Sequence, residues 1–199
     1  MLKKLTIRNF KAVQDMTVEF TPLTVLIGEN GCGKSTILQA LDLLYSVSSR
    51  DIHEYLREKD WNFEKLKSQC NGGITKPVEF ISTWNLLVKD GTETIEWTLS
   101  IDVNKGWIIK EKIINLSKNI LIVSYHFDGQ NDIPEPLGQI NIQSSALKYL
   151  AGTSNNADEI DKLFFSCQTL PVSGYCHPIK CEAVINRQIY EISALVAKL

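Results

Sequence analysis

The chain has 199 residues, of which 44% are hydrophobic and 22% charged, and its net charge is −2. Such a composition supports a core for one or two compact domains and excludes a disordered or fibrous protein. It also excludes a global basic field, so nucleic-acid binding would need a local patch or another part of the protein.

In chain order, charges at Lys3, Lys4 and Arg8 interrupt the N-terminus, which therefore lacks the apolar core of a signal peptide. No apolar run approaches the length of a membrane-spanning helix. Three short apolar segments come first: Leu5 to Phe10, Met16 to Phe20, and Leu23 to Ile27. The second alternates like a half-exposed strand. The third, Leu-Thr-Val-Leu-Ile, reads as a buried central strand running into Gly28. A helical pattern follows from Lys34 to about Ser48, with Ile37, Leu38, Leu41, Leu44 and Tyr45 on one face. Residues 51–69 suggest a second amphipathic helix or helix pair, closed by Cys70-Asn-Gly-Gly.

From 78 to 127 the period becomes two. Ile95, Trp97, Leu99, Ile101 and Val103 alternate with polar residues, and turns at Lys89-Asp-Gly, Asn104-Lys-Gly and Ser117-Lys-Asn divide four strands. An antiparallel meander is the expected result. Residues 128–140 read as a loop. Ser144 to Leu150 and Asp158 to Phe165 read as helices, with Ser144 or Ser145 capping the first. The last stretch places Ile189, Ile192, Leu195 and Leu199 at helical spacing and stops without a cap, as if the chain were cut mid-helix.

Gly28-Glu29-Asn30-Gly31-Cys32-Gly33-Lys34-Ser35 matches G-x-x-x-x-G-K-[ST]. Glycines at 28, 31 and 33 let the backbone wrap closely around phosphate. The loop N–H groups and the N-terminus of the next helix, through Thr36, face one anion. Lys34 brings positive charge to the β- and γ-phosphates of ATP, and Ser35 offers a hydroxyl ligand to Mg²⁺. A buried strand before the motif and a helix after it are the context a phosphate loop requires.

These residues resemble the SMC/RecF/OLD group of ABC-type ATPases. The likeness lies in Ile7-Arg8-Asn9-Phe10-Lys11, Leu23-Thr24-Val25-Leu26-Ile27, Gly28-Glu29-Asn30-Gly31 and Ser35-Thr36-Ile37-Leu38-Gln39-Ala40-Leu41. It is specific over residues 1–45 and loose beyond. The resemblance implies that Lys11 approaches the nucleotide, and that a glutamine near the helical lobe contacts Mg²⁺ and the attacking water. Gln143 is the candidate, ahead of Gln139, with a surface position as the alternative for each. Arg57 is a candidate phosphate contact, against a solvated helix face.

The family's Walker B Asp-Glu and Leu-Ser-Gly-Gly-type signature are both missing. The nearest imitation of the former, Ile120 to Asp128, is followed by Gly129 and continues the meander. In the family these motifs lie C-terminal to a helical or coiled-coil insertion. The implied partner is therefore the C-terminal half of the ATPase domain or a second subunit, with DNA or a nuclease as further partners and no membrane.

Cys167, Cys176, His177 and Cys181 carry zinc-type donors. Cys176 and His177 are adjacent and no C-x-x-C pair exists, which favours buried free cysteines. Five scattered cysteines argue against a disulfide scaffold and for a reducing, cytoplasmic compartment. The four tryptophans sit at apolar periods, so core packing outranks base stacking. Lys3, Lys4, Arg8 and Lys11 form a modest basic cluster, either a solvated strand edge or a DNA contact.

The expected architecture is α/β: a partial ABC-type P-loop lobe (1–75), an antiparallel β-meander subdomain (76–128), and the start of a helical lobe (129–199). The expected function is the ATP-binding portion of an ATPase of DNA repair or phage defence, with hydrolysis requiring the missing half. The rival readings are a P-loop kinase, an ABC transporter ATPase and a non-catalytic module; no lid arginine cluster supports the first.

Overall fold

A computed structural model describes residues 1–68, 76–88, 91–127 and 143–150, together with the backbone of two later strands. Strands β1 (Leu2–Phe10) and β2 (Val13–Glu19) form an antiparallel hairpin. After a long excursion, strands β3 (Val78–Val88), β4 (Gly91–Asp102), β5 (Trp107–Asn115) and β6 (Ile120–His126) follow as the expected meander. The sheet does not stop at the meander. β3 pairs antiparallel with β1, and the six strands form one sheet in the order β2-β1-β3-β4-β5-β6. The boundary expected near residue 75 therefore falls inside a continuous sheet.

Period-two patterning decides which face is inside. Val78, Phe80, Ser82, Trp84 and Leu86 of β3 are buried, and the register aligns the first four with Ile101, Leu99, Trp97 and Ile95 of β4. The two indoles find polar partners within this layer: Trp84 Nε1 donates to Ser82 Oγ at 2.9 Å, and Trp97 Nε1 donates to Glu111 at 2.8 Å. Core packing is thus what Trp84 and Trp97 do.

Helix α1 (Lys34–Val47) lies against this inner face beside β1 and buries Ile37, Ala40, Leu41, Leu44 and Val47. Each such side chain stabilises by about 1.5–3 kcal/mol for the larger residues, and Leu44→Ala would cost about 2–5 kcal/mol. Leu38, expected on the buried face, is half exposed. Helix α2 (Ile52–Glu58) begins where Asp51 caps the N–H of His53 at 2.7 Å. It folds back on α1 through Asp42, which accepts from Tyr55 Oη at 3.1 Å and pairs with Lys59 at 2.8 Å. A 3₁₀ turn (Phe63–Leu66) completes the excursion.

Two expectations fail. Leu23 to Ile27 is not a strand: it pairs with no described segment, and Leu23, Val25 and Ile27 are 61%, 66% and 89% exposed. Only Leu26 leans on the core. Among the described residues no neighbour strand stands beside the run to pair with it or cover it.

The C-terminal stretch is the second failure. β7 (Glu182–Ile185) and β8 (Gln188–Glu191) pair antiparallel, where helical spacing had suggested a helix. Short runs with β-branched residues satisfy their backbone groups by pairing with each other. The first C-terminal helix, α3 (Ala146–Leu150), does form, and Ser145 is its cap, accepting from Leu147 N at 3.0 Å. Asp158–Phe165 lies outside the described residues.

Candidate nucleotide-binding site

The segment leaving β2 turns at residues 29–32, with Cys32 N donating to Glu29 O at 3.3 Å, and enters α1 at Lys34. Gly31 and Gly33 adopt φ of 87° and 98°, conformations that a side chain resists. Gly28 has a different reason to be glycine: a Cβ there would sit 2.7 Å from Cys32 Sγ. Gly33 stands at the N-cap position and no side chain caps the helix, so the first-turn N–H groups of Lys34, Ser35 and Thr36 face an anion unclaimed. The Lys34 ammonium donates to Gly28 O at 2.6 Å and Glu29 O at 2.7 Å, with Cys32 Sγ at 3.7 Å. It therefore closes the loop by donating across it to two backbone carbonyls. Glu29, Asn30 and Ser35 are exposed. The chemistry of these residues fits a triphosphate, and Ser35 would supply an oxygen ligand to its magnesium.

Residues 1–169 match the model of the family described as AAA ATPase domain. The chain belongs to this AAA ATPase family. Among curated relatives, the OLD nuclease of Thermus scotoductus is 48% identical over 69 residues, covering 34% of this chain and 13% of that protein. The DNA replication and repair protein RecF of Nostoc sp. is 32% identical over 96 residues, covering 47% and 25%. The DNA repair protein RecN of Bacillus subtilis is 47% identical over 58 residues, covering 29% and 10%. The chain thus matches at most a quarter of the length of these relatives.

Of the remaining candidates, Lys11 lies in the turn between β1 and β2, beside Val13, whose Cγ2 would stand 3.5 Å from a Cβ at Gly33. Lys11, at φ 50°, holds its ammonium 3.1 Å from the centroid of Trp61. Burial, and then the nearby charge of Lys65, lower its pKa to about 8. Trp61 is thus a partly buried platform under a cation.

Gln143 is a correction. Its carbonyl accepts from Ile52 N at 2.8 Å, past the C-terminal end of α1. The 14 residues of α1 span about 20 Å, so the structure places Gln143 at the far end of the helix from Lys34 and out of reach of its phosphates. Arg57 is exposed near the end of α2. Asp128, Gln139, Cys70, Cys167, Cys176, His177 and Cys181 lie outside the described residues, and among the described residues no cluster of metal-ligating side chains occurs.

The basic cluster is partly spent. Arg8 pairs with Glu79 at 2.8 Å and Asp15 at 3.4 Å, and these contacts raise its pKa. Sequence reasoning also missed Glu111, a fully buried carboxylate. It sits between Lys110 and Lys112 and reads as part of a solvated charge run, yet it shares the inward parity of Ile113. No described helix is long and apolar enough to cross a membrane.

Proposed function

We propose that this chain is the ATP-binding portion of an ABC-type ATPase of DNA maintenance, of the repair or phage-defence kind, working in the cytoplasm. The observation that carries the reading is the loop itself. Left-handed glycines, a helix N-terminus without a side-chain cap and the Lys34 ammonium all fall within Gly28–Ser35. Lys34 and the N–H groups of residues 31–36 bind the phosphates of ATP, and Ser35 ligates Mg²⁺. DNA repair is supported by the names of RecF and RecN, and a nuclease partner by that of the OLD nuclease.

Hydrolysis requires more than ground-state phosphate binding, because groups must position water and stabilise charge in the transition state. With Gln143 remote, the described residues offer no such group. The exposed run Leu23, Val25 and Ile27 supports a partner that completes the fold beside the loop, either the rest of the ATPase domain or a second subunit. Nucleotide then closes the two parts, and DNA-associated work follows.

The test is thermal unfolding with and without ATP-Mg²⁺, followed by phosphate release. At a nucleotide concentration about 100 times Kd, binding adds about 2.7 kcal/mol, or roughly 5–10 °C in Tm for a chain of this size. Lys34→Ala should lose most of that shift, and phosphate release by the 199-residue chain should be negligible. Equal shifts in both proteins would remove the nucleotide assignment. Turnover abolished by Lys34→Ala would mean that the chain holds a complete active site.

A further inference from the structure

Four donors converge on one carboxylate well away from the phosphate loop. Glu111 points inward from β5 and is fully enclosed. It accepts from Trp97 Nε1 on β4 at 2.8 Å, Tyr125 Oη on β6 at 3.1 Å, Ala146 N at 2.7 Å and Ser145 Oγ. The indole and the backbone N–H can only donate, and they bind one carboxylate oxygen each. Ser145 Oγ donates to Glu111 and at the same time accepts from Leu147 N. No cation pairs with Glu111 among the described residues, and burial pushes its pKa up.

The segment that donates to Glu111 is fastened on its other side to the phosphate-loop helix. Ser145 N donates to Val47 O, the last residue of α1, at 3.4 Å, and Ile52 N donates to Gln143 O at 2.8 Å. A bonded path thus runs from Lys34 along α1 to Val47, through Ser145 to Glu111, and into β4 and β6.

Stability alone is a weak reason for this arrangement, because buried charge can often be replaced by apolar packing without loss. What the carboxylate provides is direction, since it fixes three elements at once. Beside it, Ser144 Oγ is buried with no hydrogen-bond partner. A hydroxyl left so marks a segment held in one arrangement at a local cost, which a small shift would relieve.

We infer that Glu111 is a positioning residue that couples the β-meander to the phosphate-loop helix through Ser145 and Ala146, so that nucleotide at one end of α1 tightens the clasp at the other. The inference rests on the nucleotide reading above. By linkage, whatever loads the meander changes nucleotide affinity by the same factor.

The experiment is residue-resolved amide exchange on the full chain, with and without ATP-Mg²⁺. In the wild type, nucleotide should slow exchange at residues 31–35, and slow Ala146 and Leu147 by at least about fivefold. Glu111→Gln keeps the shape but removes one acceptor oxygen. It should retain protection at residues 31–35 and lose it at Ala146 and Leu147. Ser145→Ala, a milder lesion that serves should Glu111→Gln not fold, should cut the remote protection by at least about half. Ser144→Ala, which removes the unpartnered hydroxyl, should keep both effects. Protection at residues 31–35 with none at Ala146 and Leu147 in the wild type would overturn the coupling alone, as would unchanged remote protection in both clasp variants. Protection nowhere would overturn the nucleotide reading, and the coupling with it.

Discussion

Gly28 and Cys32 can be tested as a pair. In Gly28→Ala the new Cβ sits 2.7 Å from Cys32 Sγ, about 1 Å inside ordinary contact distance. The sulfur can rotate away only by giving up its 3.7 Å contact with the Lys34 ammonium that closes the loop. Where rotation does not relieve the collision, the loop must shift and the Lys34 contacts to Gly28 O and Glu29 O with it. Forced overpacking of this kind costs about 1–3 kcal/mol, or a factor of about 5–150 in the Kd for ATP-Mg²⁺. The φ of 157° adds strain of about 1–3 kcal/mol that no change at residue 32 can remove. Removing the sulfur leaves Cys32 Cβ 3.9 Å away, which is ordinary contact. Cys32→Ala alone should therefore change Kd by less than about threefold, Gly28→Ala should weaken binding strongly, and the double variant should recover the collision part, about 5–150-fold. Titration calorimetry on the four proteins measures this directly. If the single and double variants bind equally weakly, the collision is not why position 28 is glycine, and strain alone explains the loss.

Three further outcomes are expected. Bound ATP-Mg²⁺ should shield the exposed thiol of Cys32 from iodoacetamide, and equal alkylation rates with and without nucleotide would place the phosphates elsewhere. Ile27→Ser should leave stability in urea within about 0.5 kcal/mol, because the side chain is 89% exposed; a loss of 2 kcal/mol or more would mean that it is packed after all. For Lys11 the folded pKa of about 8 lies below the unfolded value of 10.5, so the unfolded chain holds more protons between them and stability should rise with pH across that window. Discounted for partial exposure and for the Trp61 face, the gain is about 1 kcal/mol. It should appear as the difference between wild type and Lys11→Met from pH 8 to 9.5, in which the ionisation of unfolded tyrosines, common to both proteins, cancels. A flat difference would show that Lys11 is not desolvated.

Much of this was legible in the sequence where a local rule governs. The alternation around Ile95–Val103 gave β4, glycines at 31 and 33 gave the loop, and Ser145 gave the cap of α3. Where a neighbour decides the outcome, the sequence was silent. Leu23–Ile27 has the composition of a central strand, but a strand is made by partners that composition does not name. Ile189 and Ile192 fit a helix by spacing, while residues 188–191 are held by pairing with 182–185. Gln143 resembled a catalytic glutamine by its place in the chain, and only the length of α1 reveals how far it stands from Lys34. Glu111 could have been found by parity with Ile113, had its flanking lysines not suggested solvent.

The continuity of the sheet also bears on how the molecule forms. Leu2 to Arg8 of β1 find their partners among Glu79 to Trp84 of β3, more than 70 residues along the chain, whereas the phosphate loop and both of its helices lie between. The loop is thus an excursion hung between β2 and β3, which flank β1 on either side, and its far end is fixed only once β3 has paired with β1. Pairing at that separation is slow, because loop closure must precede the contacts that stabilise it. A nascent chain released as far as residue 75 has the whole motif but only the β1–β2 hairpin to hang it on, and an isolated hairpin is marginal in water. Competence to hold a nucleotide therefore waits until β3 has emerged, well after the motif itself has been made.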